Sequence, residues 1–192
     1  EDNGIQALSS VSGDLIWKRT KSELPARPID SSMYFDERIA YFSDESGKIH
    51  GVNQSNQFVY NAQASSDYLA TRIVRVGDFI ITFQEHQLGT NHRLVSSFIA
   101  SGEEKFQLPM SAIPLKLFKV GQDKVLLINQ QNNEILLNLY NVEGNFTEFQ
   151  QLTIPGKMEV SAVKNDREIF LKTDSEMLLI NTTTMTQTSL SS

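Results

Sequence analysis

Three kinds of polar turn recur in fixed order along this chain, and their spacing restricts the fold more than any other property of the sequence. One series runs through Asp36-Glu37, Gly77-Asp78, Gln122-Asp123 and Asn165-Asp166, and a second through Ser46-Gly47, Leu88-Gly89-Thr90-Asn91, Asn132-Asn133 and Asp174-Ser175. The third passes Ser12-Gly13, Ser55-Asn56, Ser101-Gly102 and Glu143-Gly144, with a weaker echo at Thr184. Members of one series lie roughly 43 residues apart, a period that marks an array of small supersecondary units. Glycine and asparagine at these points supply the positive φ that tight hairpins demand.

Between the turns lie segments of strand length, rich in β-branched and aromatic residues, such as Phe79-Ile80-Ile81-Thr82-Phe83 and Ile135-Leu136-Leu137-Asn138-Leu139-Tyr140. No stretch sustains a helical period. Phe79, Ile81 and Phe83 share one face of their strand, whereas Val125-Leu126-Leu127-Ile128 is apolar on both, as befits a strand sandwiched between neighbouring sheets. Sheets stacked face to face satisfy both patterns. The expected fold is therefore all-β, a β-propeller segment of about four blades, each an antiparallel four-stranded sheet. The chain enters on the last strands of one blade (5–20) and continues as a single segment through blades at about 29–62, 68–108, 113–155 and 158–192. A closed ring of four sits at the small end of propeller sizes, so the expectation is an arc of a larger ring of about seven or eight blades. Glu1 opening almost directly onto a strand fits a piece cut from a longer protein.

Composition narrows the function classes. Seventeen basic against 23 acidic residues give a formal net charge of −6, which opposes attraction to nucleic acid or to anionic lipid. The absence of cysteine removes disulfides, thiolate metal sites and cysteine nucleophiles together. Uninterrupted apolar runs reach only four or so residues, against roughly 20 needed to span a bilayer, so this segment is not expected to cross a membrane.

Candidates for chemistry are few. Of the three histidines, His50, His86 and His92, only the last two are close in sequence, at a spacing that suits neither a strand face nor a zinc helix, so all three read as solvated surface residues. The carboxylate pairs Asp36/Glu37, Asp44/Glu45 and Glu103/Glu104 fall in turns, where charge keeps a hairpin tip wet. No serine sits in a nucleophile elbow, and no phosphate-binding or calcium loop is present. No catalytic residue, cofactor or metal is assigned, and the protein is not expected to be an enzyme. Trp17, at the end of the first hairpin, is expected to dock one blade on the next, with Gly13 closing the turn before it. Asn53, Asn145 and Asn181 head N-x-[S/T] triplets and are candidate glycosylation sites. The loop Glu85 to Asn91 and the exposed face of Phe146 to Phe149 are the candidate contact surfaces for partners.

The hairpin Ala7 to Lys18 follows Ala-Leu-x-x-x-[Ser/Thr]-Gly-[Asp/Glu]-[Leu/Ile]-[Leu/Ile]-Trp-[Lys/Arg] and resembles the repeat of pyrroloquinoline-quinone-like propellers. Glu1-Asp2-Asn3-Gly4-Ile5 running into it resembles the lumenal propellers of the large first subunits of the endoplasmic reticulum membrane protein complex. That resemblance is sharp over the first 18 residues or so and architectural beyond them. It implies a non-catalytic lumenal scaffold in a complex that inserts and folds transmembrane helices, with other subunits and client membrane proteins as partners. The hairpin also resembles the periplasmic lipoprotein propellers of the outer-membrane β-barrel assembly machine, which would imply a periplasmic scaffold. Quinone-dependent dehydrogenases share the hairpin too, but this chain lacks the vicinal cysteine pair and the acidic calcium cluster of their cofactor site.

Overall fold

A computed structural model describes the chain apart from residues 1–3, 10, 37, 66, 90, 144–145 and 191–192, with the backbone alone at 21 and 149. The chain forms two compact units, Glu1–Lys105 and Phe106–Ser192. In the first, β1 (Ile5–Leu8) and β2 (Leu15–Arg19) make a two-stranded hairpin, and two single 3₁₀ turns lead into β3 (Tyr34–Asp36), β4 (Ile39–Ser43), β5 (Lys48–Asn53) and β6 (Phe58–Gln63). Next come β7 (Tyr68–Val76), β8 (Phe79–His86), β9 (His92–Phe98) and β10 (Glu104–Met110), the last carrying the chain into the second unit. That unit adds β11 (Lys116–Val120), β12 (Lys124–Gln131), β13 (Glu134–Asn141) and β14 (Thr147–Pro155), then β15 (Met158–Asn165), β16 (Glu168–Thr173), β17 (Met177–Asn181) and β18 (Thr186–Ser189). Each set of four is a meander in which every strand pairs with its neighbour in sequence. These are four antiparallel blade sheets of an all-β propeller fold.

The apolar runs decide which strands go inside. Val125, Leu126, Leu127 and Ile128 of β12 are all inaccessible to solvent, and so are Ile80, Ile81 and Phe83 of β8, so these second strands bury both faces. Leu126 and Ile128 join Ile135, Leu137 and Leu139 of their own sheet and Ile169, Leu171, Leu178 and Ile180 of the next in one core of the second unit. In the first unit Tyr41, Ile49 and Tyr60 pack on Ala70, Ile73 and Ile80 across the facing sheets. Close approach is tightest at Gly51, where a Cβ would lie 2.8 Å from the Tyr60 Cβ and 3.0 Å from the Tyr41 ring.

A repeated set of backbone hydrogen bonds gives the turn spacing its physical meaning. The residue just after the third strand donates back to the turn between the first two, from Ile99 to Asp78 (2.9 Å), Val142 to Asp123 (2.9 Å) and Thr182 to Arg167 (2.8 Å). The turn after the second strand is tied to the segment entering the blade, from Glu45 to Arg27 (2.9 Å), Gln87 to Asp67 (2.8 Å) and Asp174 to Lys157 (3.0 Å). Two turn series are thus the ends of one cross-linked unit.

Four turns of the third series are held by a capping side chain. Asn53 Oδ1 accepts from the backbone of Ser55 and Gln57, Asn141 Oδ1 from Glu143, and Asn181 Oδ1 from Thr183 and Thr184. Ser9 Oγ plays the same part for Val11 and Ser12. Three turns of the series pass through positive φ, at Gly13 (76°), Asn56 (60°) and Gly102 (71°). The weak echo near Thr184 uses Met185 at φ 50°, a residue that carries no turn signal. By this capping geometry the β1–β2 hairpin is equivalent to the third and fourth strands of the full sheets. Glu37, Thr90 and Gly144, which belong to the turn series, lie outside the described residues.

Candidate protein-interaction groove

Between the β1–β2 hairpin and the β3–β6 sheet lies a groove of about 350 Å³, lined by Ala7, Leu8, Ile16, Trp17, Phe35, Asp36, Arg38, Ile39, Ala40, Val52, Asn53 and Gln54. Its base is fixed by packing. Trp17 is half-buried and rests against a cluster of Ile5, Leu24, Phe42 and Val52, which joins the hairpin to the sheet. Arg19 reinforces that junction, donating from its guanidinium to the Asn56 carbonyl and lying 4.2 Å from the centre of the Phe58 ring. Gly13, at the hairpin tip, has open space around it, so its role there is the backbone conformation rather than a contact.

The walls are unlike the base. Leu8, Ile16 and Phe35 are 51%, 54% and 62% exposed, and Leu15 and Val11 of the same hairpin are exposed too. Scattered exposed apolar residues are ordinary, but several gathered on one concavity mark a contact surface. The rim is polar. Asp36 accepts from Arg75 Nη1 at 2.8 Å, and burial, followed by the charge of Asp36, pushes the nearby Tyr34 hydroxyl up to about 12. Arg38 is exposed and has no ion pair among the described residues.

Two residues read as solvated are in fact buried. His50 is 2% exposed and Asp44 not at all; His50 Nε2 donates to Asp44 Oδ2 at 2.7 Å, and its Nδ1 lies 2.9 Å from Asn61 Oδ1. The other carboxylate oxygen of Asp44 accepts from the Ser46 amide and hydroxyl and from the Lys48 amide. Burial alone would raise the Asp44 carboxyl, but the hydrogen bonds from His50, Ser46 and Lys48 outweigh it and hold the group below the usual carboxylate range. This cluster organises the β4–β5 hairpin, with Phe42 and Phe58 rings against the imidazole.

The expected solvation of His86 and His92 also fails in part, since both are half-buried, His86 edge-on to Tyr68 and His92 beside Phe83. Glu45, Glu103 and Glu104 are exposed as expected of hairpin tips. In the loop Glu85 to Asn91, Leu88 stands almost fully in solvent. Phe146, expected on an exposed face, is 3% exposed instead: the left-handed backbone at φ 54° turns the chain there and the ring is taken into the core. The Phe149 side chain and Asn145, the head of its triplet, lie outside the described residues. Asn53 and Asn181 are partly buried, and the side-chain oxygen of each is committed to its turn.

Among the described residues, no group of three or more His, Asp or Glu side chains is placed to hold a metal ion. No described helix is long and apolar enough to cross a membrane. Sequence comparison finds no matching family and no matching curated protein. Solved structures do match: the chain is similar to BamB from Moraxella catarrhalis, with TM-score 0.61 and 14% identity, covering 96% of this chain and 56% of that one. It is also similar to the computationally designed Ika4 protein, with TM-score 0.57 and 9% identity, covering 82% of this chain and 92% of that one. The chain thus spans little more than half the length of BamB. At these identities the likeness is one of fold alone: the chain has a β-propeller fold, as BamB does.

Proposed function

We propose that this chain is a non-catalytic scaffold in a membrane-associated protein complex and that it binds its protein partners at the groove beside Trp17. The observation that carries the reading is the grouping of Leu8, Ile16 and Phe35, exposed and apolar, around a concavity whose base is firmly packed. Such a surface suits partner side chains, and it offers no set of activated nucleophile, base and oxyanion donors for a reaction.

The hairpin Ala7 to Lys18 and the segment leading into it support the finer reading, a lumenal subunit of the endoplasmic reticulum complex that inserts and folds membrane proteins. The likeness to BamB favours a second reading, a periplasmic scaffold beside the outer membrane. The test is a photoreactive residue in place of Phe35 in the full protein in its native membranes. The scaffold reading expects adducts with subunits of one membrane complex, identified by mass spectrometry; labelling of lipid alone, or of nothing, overturns it. A glycosidase-sensitive mass on the native protein excludes the periplasmic reading. Added quinone giving a spectral shift with tight calcium dependence overturns the non-catalytic assignment.

A further inference from the structure

We infer that the groove takes an extended partner segment combining apolar side chains with an acidic residue, and that Arg38 reads the acid. The inference rests on the scaffold reading and adds the chemistry of what is held.

The polar groups of the lining divide into spent and unspent. Asp36 is matched by Arg75 at 2.8 Å. Asn53 uses its oxygen on the Ser55 and Gln57 amides and its nitrogen on Gln57 Oε1 at 3.2 Å. Of the other two, Gln54 is uncharged, and Arg38 is exposed and without an ion pair among the described residues. The one uncompensated charge of the described lining is therefore positive, in a chain whose total is −6. A lysine or arginine brought onto these walls meets a like charge, whereas a carboxylate finds a planar guanidinium able to bind both of its oxygens. Phosphate-rich partners would also seek a cation, but they gain nothing from Leu8, Ile16 and Phe35 and are repelled by the net charge.

Size and edge geometry favour an extended segment over a helix. About 350 Å³ accommodates a few side chains, near the low end of ligand pockets. Among the described residues, Ala7 and Leu8 belong to β1, which pairs only with β2, whereas the equivalent third strands β5, β9, β13 and β17 each have a partner on both edges. A strand added beside β1 would gain main-chain hydrogen bonds and place alternate side chains toward the groove.

Trp17 is the only tryptophan of the 192-residue chain and lines the groove, so its emission reports occupancy directly. The probes are the capped peptide Leu-Phe-Asp-Leu-Asp and its counterpart Leu-Phe-Lys-Leu-Lys, titrated at low salt. The acidic peptide should bind about threefold or more tightly than the basic one, as an exposed charge pair provides, and the ratio should shrink as salt rises. Arg38→Glu should invert the order, and Arg38→Gln should bring the two peptides level. Ile16→Asp, at an exposed position, should abolish both titrations without lowering the melting temperature. Equal binding by the two peptides, a ratio untouched at Arg38, a response to phosphatidylserine vesicles instead of peptide, or an emission change that tracks self-association overturns the inference. Should the charge ratio fail while Phe35 adducts with complex subunits persist, the acidic specificity falls and the scaffold reading stands; loss of the adducts removes both.

Discussion

Replacing Asp44 by alanine should cost the fold about 3–5 kcal/mol, because it removes the shared acceptor of a buried hydrogen-bond cluster. The magnitude follows from what the carboxylate now satisfies. Oδ1 takes the Ser46 amide (2.9 Å), the Ser46 hydroxyl (2.6 Å) and the Lys48 amide (3.1 Å), and Oδ2 takes His50 Nε2 (2.7 Å). In the alanine variant the imidazole of His50, 2% exposed, loses its acceptor and two amides lose theirs, each unsatisfied buried group costing about 1–3 kcal/mol before relaxation or water entry. Asp44→Asn keeps an acceptor for the hairpin amides and should cost about half as much. The acid limb supplies a second signature. Because hydrogen bonding holds the folded carboxyl below its ordinary 3.8, its contribution is complete above that pH and is lost as pH falls through the folded value. The asparagine variant should therefore lose less stability than wild type between neutral pH and about pH 3. Urea denaturation across that range measures both effects. A loss under about 1 kcal/mol for Asp44→Ala at neutral pH would refute the reasoning, since it would mean that the cluster is solvated after all.

Trp17→Ala should cost about 2 kcal/mol by thermal or urea unfolding, below the 3–5 kcal/mol of a fully buried ring, because the side chain is only half-buried on the Ile5, Phe42 and Val52 cluster. Gly51→Ala should destabilise far more than Gly13→Ala: the first drives a Cβ into Tyr60 and Tyr41, whereas the second has free space and meets only the strain of φ 76°, about 1 kcal/mol. Tyr34 and Tyr60 are both pushed up to about 12, burial being the largest cause. Their contribution is intact below the ordinary value of 10.0 and lost as pH climbs toward about 12; burial raises Tyr41 and Tyr140 as well, so ultraviolet titration should show most of the tyrosines ionising late, together with the onset of alkaline unfolding.

The sheets were legible because their punctuation is local. Strand length, β-branched content and a turn residue at each end are properties of a few consecutive positions, and Val125 to Ile128 shows its double burial in its own composition. The Asp44–His50 pair was not, since six residues separate its members along a hairpin and an acidic turn followed by a histidine usually stays in water. Its burial is set by Phe42, Phe58 and Asn61, the last two from the next strand. Phe146 was misplaced for a similar reason: two residues past Gly144 it reads as part of a wet tip, and a left-handed φ sends it inward. The groove was half visible. Trp17 was singled out as a docking residue, but the exposure of Leu8, Ile16 and Phe35 around it is set by how the hairpin meets the β3–β6 sheet, and no spacing encodes that. One signal was available: the serine and asparagine caps at Ser9, Asn53, Asn141 and Asn181 repeat, and they explain two sequons as turn residues.

The scaffold account stands most directly on amide hydrogen exchange of the full protein, free and within its membrane complex. Assembly should slow exchange across Leu15–Arg19 and Tyr34–Asp36, the strands that wall the groove, and leave β17 (Met177–Asn181) unchanged. Unaltered exchange in both groove strands, with protection arising on the second unit instead, would contradict it.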